Sequence, residues 1–347
     1  MSATMSIPTL FLFRFLLTSF LTISISDCAS TSSHCHPQDY NALLQIKKAF
    51  NNPKNLTSWE PNTDCCQWHH IHCDLKTNRV DTVEITTGIR HSKYGYLSGV
   101  ISPSFGDLSY LKVLYLESLN ITGEIPISIT KLKNLEYLLL KNLNLQGPIP
   151  TFLVQLSKLY YLDLAYNHFT GSIPPIFSKF TKLQGLELSF NKLTGNIPES
   201  FGHFVGVVPN LHFTNNQLTG SIPKSFAKMN FEMIEFGGNN LVGDASMLFK
   251  TNGYSEYGYD IDLSRNMFEF DFSNIKFHKD LNSLDLSHNN IYGSVPKDLA
   301  MVKDLQFFNV SYNRLCGEIP TGGQMSKYNS SSYIGNKCLC GSPLPVC

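Results

Sequence analysis

Charge is scarce in this chain, and cysteine is missing from most of it. Only 16% of the 347 residues are charged, against roughly a quarter in an average globular domain. The 27 basic and 27 acidic side chains cancel, which excludes a generally basic nucleic-acid binder and an acidic disordered chain. No cysteine falls between Cys73 and Cys316, so the long middle must hold itself together without covalent staples. Long apolar runs are lacking too. The stretch at residues 15–25 is too short to span a bilayer comfortably, and nothing after Cys316 resembles a membrane span. No GxSxG, HExxH or phosphate-binding loop appears, and no cofactor or metal is expected.

What is plentiful is Gly (23), Pro (17), Tyr (16) and Phe (24), a mix that suits a turn-rich protein and not a helical bundle. The apolar stretch follows Arg14 and leads into small residues around Ser24, Ser26 and Ala29. That order predicts a secretory signal over residues 1–29, cleaved somewhere in 24–29. Cleavage beyond Cys28 leaves eight cysteines, an even number. They fall in two clusters, Cys35, Cys65, Cys66 and Cys73 near the start and Cys316, Cys338, Cys340 and Cys347 at the end. Local bridging predicts Cys35–Cys65, Cys66–Cys73, Cys316–Cys338 and Cys340–Cys347, although spacing alone leaves connectivity open. Sequons at Asn55, Asn120, Asn309 and Asn329 are candidate glycosylation sites in the same compartment. The expectation is a soluble, extracellular product.

Self-similarity dominates the middle of the chain. LYYLDLAYNHFTGSIP (159–174) and LQGLELSFNKLTGNIP (183–198) share the pattern LxxLxLxxNxLTGxIP, with its glycine at 99, 123, 147, 171, 195, 220, 243, 293 and 317. A degenerate unit around Leu263 and Asn266 makes ten. The LxL core reads as a short strand whose leucines point inward while the residue between them points out. The asparagines that follow (Asn167, Asn191, Asn216, Asn239, Asn266, Asn289 and Asn313) turn the chain, and their amides are placed to bond the backbone of neighbouring coils. One coil cannot bury its own apolar side, so coils must stack. The fold class predicted is an α/β solenoid, a right-handed superhelix of ten units of about 24 residues with a parallel sheet on its concave face. Its domains are an N-terminal cysteine cap over 30–78, repeats over 79–320 and a C-terminal cysteine cap over 321–347. The apolar spacing of Leu43, Leu44, Ile46 and Phe50 predicts a short helix in the first cap, with Trp59 and Trp68 supplying bulk. His69, His70 and His72 beside Cys66 and Cys73 read as cap or surface residues rather than a metal site.

Cap and repeat together resemble the plant polygalacturonase-inhibiting proteins, secreted leucine-rich-repeat proteins. The resemblance runs from about Cys35 to Cys347. It rests on DYNALLQIKK (39–48), DCCQW (64–68), the ten NxLTGxIP-type units and NKCLCGSPLPVC (336–347). It implies a cell-wall protein of plant defence that binds microbial or insect polygalacturonases through the variable residues of the xxLxLxx strands. Pectin is a second candidate ligand. The same group includes an ice-binding protein and proteins proposed to act in development, so resemblance alone does not settle the target. The chain departs from the pattern at residues 88–96, 205–209 and 250–259, and His70 stands where a glycine is usual.

The outward residue of each LxL core, read down the units, is Glu84, Tyr115, Leu139, Asp163, Glu187, His212, Glu235, Asp262, Asp285 and Asn309. Six are acidic, and like charges stacked about 4.8 Å apart repel. A scaffold under stability demands alone has little reason to carry them, although ordinary solvated polar positions remain the bland alternative. With Tyr115, Tyr161, Tyr166, Phe190 and Tyr312 on or beside the same face, the row predicts an acidic, aromatic-edged docking strip. A polygalacturonase needs a cationic cleft for its anionic polymer, so the strip complements it, and inhibition would be steric. Asp163 and Glu187 are also close enough in prospect for a retaining glycosidase, but an open sheet offers no pocket to grip a sugar. A receptor-partner module is a further reading. An ice-binding face would need a flat, regular Thr or Asn row instead.

Overall fold

The computed structural model describes residues 35–86, 97–250 and 258–347. The expected signal segment, Cys28, residues 88–96 and most of the 250–259 stretch lie outside the described residues.

Each repeat begins with a short strand, and these strands pair in parallel in chain order, from Val80–Thr86 through Tyr161–Asp163 to Phe307–Asn309. One further strand, Ile71–Cys73 of the N-terminal cap, joins the same sheet antiparallel to Val80–Thr86, giving eleven strands in all. The leucines that flank the outward residue are fully buried throughout, as at Leu162 and Leu164 or Leu186 and Leu188. The chain is thus a leucine-rich-repeat solenoid, with the long sheet lining its concave side.

Behind the long sheet the chain extends again. Segments such as His168–Gly171 and Lys192–Asn196 form a second parallel sheet of eight strands, from Ser98–Val100 to Met267–Phe268. The repeated glycine lies at or near the end of most of these segments in left-handed backbone (φ 75° at Gly171, 76° at Gly195), which favours a residue without a Cβ. One-turn 3₁₀ helices such as Pro175–Lys179 then bring the chain back. In the degenerate unit Phe270 takes the glycine position, and Phe268, Phe270 and Phe272 are all buried there.

The turn asparagines form an internal ladder. Asn167 Nδ2 donates to Leu140 O of the preceding coil (2.7 Å), and its Oδ1 accepts from Leu145 N of that coil (3.1 Å). Asn191, Asn216, Asn239, Asn266, Asn289 and Asn313 repeat the pattern. Asn336 in the C-terminal cap extends it by one rung. Earlier coils carry the buried Leu119 and Leu143 instead of a rung.

Both ends are closed. The helix Pro37–Ala49 is capped by His36 and buries Ala42, Leu43 and Ile46. Asp39 on this helix is fully buried and holds Arg79 through two 2.8 Å bonds, while Asp39 Oδ2 also accepts from Val80 N at the start of the first repeat strand. Trp59 and Trp68 stack with centroids 5.6 Å apart. Disulfides join Cys35 to Cys65, Cys66 to Cys73, Cys316 to Cys338 and Cys340 to Cys347. The sulfurs of Cys35, Cys65 and Cys66 lie close together, but bridged cysteines have no thiolate to offer a metal. His70 sits in left-handed backbone (φ 74°), which explains the usual glycine, and its Nδ1 lies 2.9 Å from Glu84 O.

Candidate functional site

Strand pairing sets the outward residues in one unbroken line. Glu84 pairs with Tyr115, Tyr115 with Leu139, Leu139 with Asp163 and Asp163 with Glu187. The line continues through His212, Glu235, Asp262 and Asp285 to Asn309. Its exposure is uneven. Glu84 is exposed and Glu187, Glu235, Asp262 and Asp285 are partly covered, whereas Asp163 and His212 are only 5% and 6% exposed.

The carboxylates also have a scaffold task that the repeat pattern did not reveal. Asp163 Oδ1 accepts from the backbone N–H of Ala165 (2.9 Å), and Glu187 Oε1 from that of Ser189 (2.8 Å). Asp262, Asp285 and Asn309 do the same for Ser264, Ser287 and Ser311. An acceptor at this position satisfies an amide that has left the sheet ladder, so part of the acidic bias is structural. Gly237 leaves room for this arrangement, because a Cβ there would lie 2.8 Å from Asp262 Oδ2.

Close spacing and burial displace the acidities. Burial, then the neighbouring Glu187, pushes Asp163 up to about 7. Burial raises Glu187, and burial with Asp285 lifts Asp262 to about 6. His212 Nδ1 lies 2.9 Å from Glu235 Oε2 and 3.9 Å from Glu187 Oε2. Burial pulls His212 down, but the Glu235 bond and the Glu187 charge outweigh it and the net shift is upward. Burial likewise opposes the net lowering of Glu235, which the bond and charge of His212 win. Tyr115 donates to Glu117 and, like Tyr161, is pushed up chiefly by burial. Tyr161 lies over Gly185, where a Cβ would collide with its ring.

A second line runs along one edge of the face, three residues after the first. Ser118, Asn142, Tyr166, Phe190, Asn215, Arg265, His288 and Tyr312 all have φ between 49° and 57°. Gly and Asn tolerate this region; bulky aromatics do so at a cost of about 1 kcal/mol or more. Tyr166 and Phe190 nevertheless stack there (4.2 Å, 9° apart), as do His288 and Tyr312 (4.3 Å, 13°). Tyr166, Phe190 and Tyr312 remain 44%, 40% and 47% exposed. Lys141 stands over Tyr166, 6.0 Å from the ring centroid. His288 and Lys141 were not among the residues singled out from sequence. The Asn and Gly residues sharing their column, such as Asn142, Asn215 and Gly238, were the available sign of left-handed backbone.

Comparison with known proteins sharpens the picture. Residues 36–74 match a leucine rich repeat N-terminal domain, residues 76–235 the leucine-rich-repeat domain of EGF-like domain-containing protein ComC, and residues 280–301 a leucine rich repeat. The chain is 51% identical over 337 residues to a polygalacturonase inhibitor of Vitis vinifera, covering 96% of this chain and 98% of the relative. It is 50% identical over 350 residues to polygalacturonase inhibitor 1 of Arabidopsis thaliana, covering 100% of both. The chain belongs to the plant polygalacturonase-inhibiting protein family. Among solved structures, one described as a plant ice-binding protein is 43% identical, with a TM-score of 0.84 over 90% of this chain and 98% of that one. Members of the family and this neighbour therefore share the coil while their names record different tasks. Among the described residues no helix is long and apolar enough to cross a membrane.

Proposed function

We propose that this chain is an extracellular inhibitor of microbial or insect polygalacturonases, docking on the enzyme through the long sheet's open face and blocking access of pectin. The observation that carries the reading is identity of about half the residues, over nearly the full length, to plant proteins named polygalacturonase inhibitors. The face supports it. The exposed Glu84 and the partly exposed Glu187, Glu235, Asp262 and Asp285 run beside the aromatic edge of Tyr166, Phe190 and Tyr312. Such a surface complements a cleft built to hold an anionic polymer. Asp163 and His212, more covered, brace that surface, and Tyr115 and Tyr161 stand half-buried within it. Disulfide-closed ends suit an oxidising, extracellular setting. Of the sequon asparagines, Asn120 and Asn329 are exposed, whereas Asn309 stands in the docking row itself.

Catalysis by this chain is disfavoured by the same geometry. Asp163 is buried and bonded to backbone, so it is a poor candidate for the nucleophile or acid of a glycosidase. An ice-binding task is weakened by the second sheet, whose outward residues mix Thr170, Thr194 and Thr219 with His168, Lys192 and Val242. The deciding experiment is reducing-end release from polygalacturonate by a panel of fungal and insect polygalacturonases, with and without the purified chain. At least one enzyme should lose most of its activity, and the chain alone should release nothing. A panel that is uninhibited throughout would sink the reading.

A further inference from the structure

Midway along the docking row, four titratable side chains stand side by side on four consecutive strands. Backbone N–H groups pin one oxygen each of Asp163 and Glu187, so these neighbours cannot swing away to relieve their repulsion. His212, itself buried, is fixed between Glu187 at 3.9 Å and Glu235 at 2.9 Å. Around them stand Glu117, Lys141, Tyr115, Tyr161 and Tyr166 on the N-terminal side and Asp260 and Asp262 on the C-terminal side. A pinned group of this kind has one cheap way to relieve crowded negative charge, which is to take up a proton.

We propose that Asp163, Glu187, His212 and Glu235 form a proton-storing array that sets the charge of the docking face, so that a cationic partner surface docks with release of protons. The proposal rests on the docking reading above and adds its regulation. With protons loaded, Asp163 and Glu187 are neutral and His212⁺ balances Glu235⁻. With protons removed, the array carries three negative charges. The directions of the individual shifts agree, since Asp163, Glu187 and His212 all hold protons more tightly than usual while Glu235 holds its proton less tightly. Cationic side chains arriving at the face favour the unloaded form. Docking therefore strengthens as pH rises from about 5 to about 8, the range in which imidazole and the raised carboxyl exchange.

Two measurements test it. NMR titration of the free chain, labelled at carboxyl and imidazole carbons, should show Asp163 and His212 titrating as coupled groups. In Glu187→Gln both midpoints should fall by about one pH unit or more. Ordinary, independent midpoints in the wild type would overturn the array, whether or not any enzyme binds. The second is calorimetric binding at pH ~6.5 in buffers of different ionisation enthalpy, using the fungal polygalacturonase of the panel that the chain inhibits best. It should give net release of about one proton, reduced by half or more in Asp163→Asn. No release, or equal release by the variant, would overturn the coupling while leaving the inhibitor reading intact. Absence of inhibition across the panel would remove that reading, and the titration would still decide the array.

Discussion

Asp163 combines a negative group, a covered position and a second carboxylate on the adjacent strand. Its pKa is raised in the folded chain, so folding favours the protonated form. The resulting penalty is absent below the unfolded carboxyl value, grows between about 4 and about 7, and is complete above that. Asp163→Asn keeps an oxygen for the Ala165 amide and removes the charge. Thermal unfolding should show the variant more stable than wild type by several °C at pH 8, with the gap shrinking toward pH 4.5. A variant less stable at pH 8 would contradict this account. Tyr166 offers the converse experiment. Glycine accepts its left-handed backbone (φ 57°) without strain, so Tyr166→Gly should leave the unfolding midpoint close to wild type while weakening enzyme docking about tenfold or more. Loss of stability without loss of docking would assign the ring to the scaffold.

At the scale of elements, the asparagine rungs and the Asp39–Arg79 lock carry most of what local sequence cannot replace. Asn239 donates to Phe213 O and Phe236 O and accepts from Leu218 N, all buried. Asn239→Ala leaves Leu218 N without its acceptor, at roughly 1–3 kcal/mol, and removes one of two amide donors from Phe213 O and from Phe236 O, which Asn216 and Asn266 still serve. Urea unfolding should register a loss of about 2–4 kcal/mol. Arg79→Met leaves Asp39 as an unpaired buried charge, at a cost of about 3–5 kcal/mol, and adding Asp39→Asn should recover part of the loss. The rungs were legible because an asparagine recurring after each LxL core from Leu162 onward has one mechanical use. The lock was not, because a single Asp and a single Arg 40 residues apart leave no periodic trace. The second sheet also escaped notice. Its strands bury at most one residue each, as in the pattern of His168–Gly171, too short a stretch for alternation to show.

For the whole molecule, the leucine spacing alone was enough to put Glu84 through Asn309 in one line, since period-two alternation in paired parallel strands permits no other face. How far each member of that line projects was not readable. Cover depends on which neighbours lean over it, as Tyr161 does over Gly185. This redirects the test of electrostatic docking. Reversing the buried Asp163 would perturb the fold, whereas Glu84 is exposed. Glu84→Lys should lower affinity for an inhibited polygalacturonase several-fold and flatten its salt dependence, read from binding at two ionic strengths. Unchanged affinity and salt slope would remove Glu84 from the contact.

Every rung of the ladder reaches backward. Asn167 satisfies Leu140 and Leu145, and Asn336 satisfies Val310 and Leu315. During synthesis a newly emerged turn thus waits, incompletely bonded, for the next one to leave the ribosome, and only the tail after Cys316 releases the final turn from waiting. A stop codon upstream of Asn336 would leave the Leu315 amide of the preceding turn without its acceptor.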